Sequence, residues 1–96
     1  MALARVVAFD DVDAARMQQL NTEIESSGRP EGVPATEILV LHDVDAGKAL
    51  AILFFDTEED YAQGDAALNA MAADDTPGRR SSVTRYMVAA RASASA

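Results

Sequence analysis

Residues 35–56, ATEILVLHDVDAGKALAILFFD, decide the fold. Two apolar runs flank a short polar segment, and both alternate with period two, as half-buried strands do. In the first run Ile38, Val40 and His42 share one side, and Glu37, Leu39 and Leu41 the other. In the second, Leu50, Ile52 and Phe54 lie on one side, with Ala49, Ala51, Leu53 and Phe55 opposite. Residues 43–48 turn the chain, with Gly47 free to take a positive φ. An even loop and a three-residue loop with a bulge both satisfy this spacing. The second strand has no polar side, so both its faces need cover. This hairpin is therefore expected to supply the inner pair of strands of a sheet.

Upstream, residues 3–9 read as a first strand, with Leu3, Arg5, Val7 and Phe9 on one side and Ala4, Val6 and Ala8 on the other. Asp10, Asp11 and Asp13 follow. Short carboxylates suit a helix N-terminus, where they accept from free N–H groups and meet the positive end of the dipole. A first helix is expected over 12–27, with Met17, Leu20 and Ile24 as its apolar stripe and Ala14 and Ala15 extending it. Gly28 and Pro30 stop it. Residues 29–34 form a loop rich in Pro and Gly.

Downstream, Thr57 caps a second helix, with Asp60 three residues on. Tyr61, Leu68 and Met71 form its buried stripe, with Gly64 or Ala67 between them, and the helix fades near residue 73. Gly64 inside a helix costs about 1 kcal/mol against Ala, which close packing on a strand would explain. A loop over 74–82 with a Pro-Gly turn leads to a last strand over 83–90. There Val83, Arg85, Met87 and Ala89 oppose Thr84, Tyr86 and Val88. Residues 1–91 make one domain, and 92–96 (ASASA) a frayed tail.

The order β-α-β-β-α-β gives an α+β fold of the ferredoxin-like kind: a four-stranded antiparallel sheet with two helices on one face. The helices leave the other face bare. Because both sides of the second hairpin strand are apolar, that bare face is expected to be apolar and covered by a second copy of the chain. A domain of 96 residues has little surface to bury, and oligomerisation is a common remedy.

Composition narrows the function. The formal net charge is -8, with a single Lys, so neither a nucleic-acid partner nor an anionic membrane surface is expected. With no Cys, the sequence has no disulfide, thiolate metal site or Cys nucleophile. No apolar run reaches the length of a membrane span, and the start of the chain meets Asp10 and Asp11 before a leader core could form. A cytoplasmic location is the default expectation.

Few residues are candidates for chemistry. His42, the sole histidine, sits beside Asp43 near a strand end. It could serve as a base or single ligand, but a half-exposed residue beside a turn is the commoner role. Arg85 could hold an anion if its side of the last strand looks into a cavity. Tyr61 and Phe54 complete the weak ligand-binding set, with ring packing as the ordinary alternative. Arg79-Arg80-Ser81-Ser82 lacks the glycine-rich turn of a phosphate site. No nucleophile elbow, P-loop, dinucleotide fingerprint or zinc spacing is present, and neither a metal nor a cofactor is expected.

Over nearly the whole chain, VVAFDDVDAARMQQLNTEI, ILVLHDVDAGKALAILFFDTEEDYAQGDAALNAM and SSVTRYMVAAR resemble uncharacterised bacterial members of the dimeric α+β barrel superfamily. That superfamily includes antibiotic-biosynthesis-type monooxygenases, haem-degrading monooxygenases and stress-responsive barrel proteins. The resemblance implies two sheets packed face to face in a homodimeric barrel. It places ligands between the sheet and the helices, or within the barrel. The chain departs from the pattern in having no Trp, a strand-borne histidine, and Asn21 and Asn69 on helix sides that read as outward. The expected function is binding of a small apolar or weakly anionic molecule in a cavity beside the sheet. The alternatives are a non-catalytic dimerisation or accessory module with no ligand, and a cofactor-independent monooxygenase-like enzyme.

Overall fold

A computed structural model describes residues 2–27, 32–70 and 78–90. The elements run β1 (Leu3–Asp10), α1 (Ala14–Ser27), β2 (Glu37–Asp43), β3 (Lys48–Phe55), α2 (Glu58–Asn69) and β4 (Arg79–Met87). The four strands form one antiparallel sheet in the order β2-β3-β1-β4. The ferredoxin-like order of elements is as expected, but the place of the hairpin is not. Only β3 is an inner strand; its inner partner is β1, and β2 lies at an edge. Alternation within the hairpin sets its faces but not its neighbours: β1 pairs with β3, whose two apolar faces suit an inner strand, and β2 is left outside.

The turn settles the register. Asp43 faces Lys48, so four residues connect the strands. Asp43 Oδ1 accepts from the Ala46 N–H at 3.1 Å, and Gly47 takes φ of +65°. The Gly47 carbonyl in turn accepts from the Val12 N–H at 2.9 Å, tying the approach to α1 to the hairpin tip.

Leu3, Arg5, Val7 and Phe9 of β1 face the helices, together with Ala49, Ala51, Leu53 and Phe55 of β3. The core has two parts. Met17 of α1 packs with Val7, Phe9 and Ala49. Tyr61 of α2 and Val33 pack with Leu3, Leu53 and Phe55. Both helices thus cover the same face. Ala14 and Ala15 are exposed, so the buried stripe of α1 starts at Met17. Asp13 alone of the three early carboxylates caps the helix, accepting from the Ala15 N–H at 3.0 Å. Asp10 and Asp11 instead pair with Arg79.

Thr57 caps α2 as expected, its Oγ1 accepting from the Asp60 N–H at 3.1 Å. The helix ends at Asn69, earlier than the sequence suggests; residues 71–73, with Met71, lie outside the described residues. The last strand also differs. It begins at Arg79 rather than residue 83, so Arg79, Arg80, Ser81 and Ser82 belong to the sheet. A polar run without alternation carries no strand signal, and pairing with β1 overrides that local preference. Residues 74–77 of the expected 74–82 loop, and the 92–96 tail, lie outside the described residues.

The sheet's other face is open. Ala4, Val6 and Ala8 run down its middle, between Leu50, Ile52 and Phe54 of β3 and Ser82, Thr84 and Tyr86 of β4. Leu39, Leu41, Leu50 and Tyr86 are exposed there, as large apolar side chains without cover from this chain.

Candidate functional site

A partly buried polar network lies on the helix side, between α2 and the β1–β4 pair. It starts from an oddity of sequence: Arg5 occupies an inward position between Leu3 and Val7 and is only 2% exposed. A buried guanidinium is tolerable only when paired and hydrogen-bonded. Arg5 Nε donates to Asp65 Oδ1 at 2.8 Å, and a terminal nitrogen donates to Asn69 Oδ1 at 3.0 Å. Asn69 Nδ2 donates to Asp65 Oδ2 at 3.3 Å, which closes the ring of contacts. Asp65 and Asn69 lie one helical turn apart, so both project from one side of α2.

Arg80 joins this network because of a bulge. The β1–β4 register shifts between Ala8 and Phe9, which brings Arg80, not Ser81, opposite Phe9 on the helix side. Ser81 is the extra residue, and its hydroxyl donates to the Ala8 carbonyl at 3.2 Å. Re-aiming one side chain is what a bulge does. Arg80 then donates to Asn69 Oδ1 at 3.0 Å. Asn69 was expected to look outward; the residue is exposed, but its amide oxygen bridges two arginines.

At the other end of α2, Arg85 stands directly across the strand pair from Arg5. Like charges so placed repel, and each has its own compensation. Arg5 has Asp65. Arg85 lies over the Tyr61 ring, 5.1 Å from its centroid, and donates to Glu58 Oε1 at 3.0 Å. Tyr61 packs edge-on against Phe55, with ring centroids 5.4 Å apart. Burial pushes the Tyr61 hydroxyl's pKa up; the Asp65 carboxylate adds to this, while Arg5 and Arg85 oppose it.

The result is a ladder of three arginines along α2: Arg85 at Tyr61 and Glu58, Arg5 at Asp65, and Arg80 at Asn69. Beside Arg85 on β4 stand Val83 and Met87, two exposed apolar residues on the same side. Together they form an open ledge, apolar along β4 and cationic at Arg80 and Arg85.

Of the residues singled out from sequence, Arg85 and Tyr61 come together here. Phe54 does not; it lies on the open face, opposite Ala4. His42 is remote as well. It is half-buried on edge strand β2, opposite Ala49. There it borders a shallow depression of about 480 Å³ lined also by Ala8, Asp10, Leu41, Leu50 and Ser81. Arg5, Asp65, Asn69 and Arg80 were missed as a group. Part of the signal was present: an arginine at an inward strand position needs a carboxylate, and Asp65 lies one turn beyond Tyr61 on the buried stripe.

Fold and site define a ferredoxin-like α+β protein with an arginine-lined ledge on its helix side. The chain shares its fold with several solved structures, two of which are described as antibiotic biosynthesis monooxygenases. The Rv0793 protein of Mycobacterium tuberculosis superposes with a TM-score of 0.65 at 17% identity, over 97% of this chain and 100% of that one. A provisionally assigned antibiotic biosynthesis monooxygenase from Chloroflexus aurantiacus gives 0.62 at 8% identity, over 97% and 98%. Another, from Deinococcus radiodurans, gives 0.52 at 15% identity over the whole of both chains. No protein-family model and no curated protein matches the sequence.

Proposed function

We propose that the protein binds a small apolar or weakly anionic molecule on the ledge between α2 and β4, and that it works as a homodimer joined through the open face of its sheet. The observation that carries this is the placing of Arg80 and Arg85 together on the helix side of the sheet, in a chain with net charge -8. Among the described residues only Glu58 offsets them by a direct ion pair, to Arg85. Arg80 and Arg85 are exposed beside Val83 and Met87, which suits a ligand with an apolar body and an acidic end. The exposed row of Leu39, Leu41, Leu50 and Tyr86 supports pairing of two sheets, since a soluble monomer rarely leaves such a face uncovered.

A non-catalytic assembly module is the second reading. It is favoured by the completeness of the Arg5–Asp65–Asn69–Arg80 network, which pins α2 to β1 and β4 and leaves no buried side-chain polar atom unpaired among the described residues. The monooxygenase activity in the neighbours' descriptions is a third reading. It draws on fold alone, and the ledge offers cations and a tyrosine but no paired base and nucleophile.

Native mass spectrometry of freshly purified protein separates the first two. A dimer carrying a small organic acid supports binding. A dimer that stays empty and takes up no acid from a panel of aliphatic and aromatic carboxylates supports the assembly module.

A further inference from the structure

We propose that Glu58 is a built-in competitor for the ledge: its carboxylate holds the place on Arg85 that a ligand's carboxylate takes over, so that the site selects apolar monocarboxylates. This rests on the ligand-binding reading above and names the ligand class and the residue that tunes its affinity.

Three observations lead there. First, Arg85 is oriented without Glu58. Its guanidinium lies on the Tyr61 ring, 5.1 Å from the centroid, and Tyr61 is itself fixed against buried Phe55. A cation stacked on an aromatic face keeps its edge free for a planar, two-oxygen acceptor. Second, Glu58 is weakly held. Its side chain is 81% exposed at the first turn of α2, and its ion-pair partner among the described residues is Arg85, at 3.0 Å. An exposed pair of this kind gains little over hydration, so an equivalent acid can replace it. Third, the neighbouring surface supplies what Glu58 does not. Val83 and Met87 flank Arg85 on the same side of β4, two residues away in each direction. Successive same-side residues of a strand are about 7 Å apart. A short alkyl or aryl acid with its carboxylate on Arg85 can lie along either one. Arg5 takes no part, because it is buried and already bound to Asp65.

The competition fixes the sign of a substitution. Glu58→Gln removes the competing charge while Thr57 still caps the helix, so it should tighten binding of an acid. The test uses the full chain, with hexanoate and hexanamide as probes of one shape and different charge. Binding is followed by NMR at the arginine Nε–H groups and the backbone of 58–61. Wild type is expected to bind hexanoate more tightly than hexanamide and to shift the Arg85 Nε–H. Glu58→Gln should tighten hexanoate by about two- to fivefold, the range of an exposed ion pair, and leave hexanamide unchanged. Glu59→Gln, which removes a charge from the same turn, should change neither. Arg85→Gln should abolish the preference for hexanoate. If both probes bind but Glu58→Gln leaves hexanoate unchanged or weaker, the competition is refuted and the ledge as a binding site survives. If neither probe binds wild type or Glu58→Gln, both proposals fall.

Discussion

Gly64 of α2 lies so close to Phe55 of β3 that a Cβ added to the glycine would meet the ring at 2.5 Å (Cε1) and 2.7 Å (Cζ). The ring cannot step aside. Phe55 is wholly buried and is packed edge-on by Tyr61. Two effects of Gly64→Ala therefore oppose each other. Helix propensity favours alanine by about 1 kcal/mol. Overpacking a filled core typically costs about 1–3 kcal/mol. Steric cost should win, and urea denaturation should show Gly64→Ala less stable than wild type by about 1 kcal/mol. A variant more stable than wild type would mean that the helix can lift from the strand at no cost.

The pair formed by Arg5 and Asp65 should matter more. Removing one partner from a buried ion pair costs about 3–5 kcal/mol, because the other charge is stranded. Asp65 is 35% exposed, so water can partly replace it and the loss should fall toward about 2–3 kcal/mol. Asp65→Ala is expected to unfold at correspondingly lower urea with an unchanged m-value. Asn69→Ala should cost less, about 1 kcal/mol, since Arg5 keeps its carboxylate.

These two contacts mark how far the sequence could be read. Strand parity in β1 and β3, the Thr57 cap and the close packing at Gly64 all follow from spacing within a segment, and each is found. The inner place of β1 and the edge place of β2 depend on pairing between distant segments, and alternation alone does not encode it. Arg80 shows the limit most clearly. Its side of the sheet is set by a one-residue bulge opposite Ala8 and Phe9, and an unbroken period-two count puts it on the wrong face. Asn69 was misjudged for a related reason. Its position is exposed while its amide is bound, and a helical stripe describes only the former. The site candidates were half grouped: Arg85 and Tyr61 meet, whereas His42 and Phe54 lie on other surfaces.

Tyr61 gives a prediction in pH. Its pKa is raised in the folded chain by burial and by Asp65, so the fold favours the neutral phenol. In the unfolded chain tyrosine ionises near 10. Above that pH the unfolded state has lost a proton that the folded state keeps, so stability is full below about pH 10 and falls as pH rises toward the folded value. Ultraviolet titration at alkaline pH should show one phenol ionising later than free tyrosine, and Tyr61→Phe should remove that late step. Arg85→Gln should delay it further, because Arg85 opposes the upward shift. An early step lost in Tyr61→Phe would contradict the burial.

The open face gives the last prediction. Leu41 and Leu50 are partners across the β2–β3 pair, both exposed, at the end of the sheet near the Asp43–Lys48 turn. In a monomer each is a surface residue, and replacing an exposed leucine changes stability by about 0.5 kcal/mol or less. In a dimer joined sheet to sheet, a charge at either position would be buried without a partner, at a cost of several kcal/mol per copy. The two assemblies therefore respond differently to one substitution. Light scattering on wild type at micromolar concentration should give twice the chain mass, and Leu41→Asp should give the single chain mass with its circular dichroism intact. Glu37→Gln, on the same side of β2, should remain dimeric. A wild type that is monomeric at every concentration would overturn the pairing of sheets and leave this apolar row without the partner proposed for it.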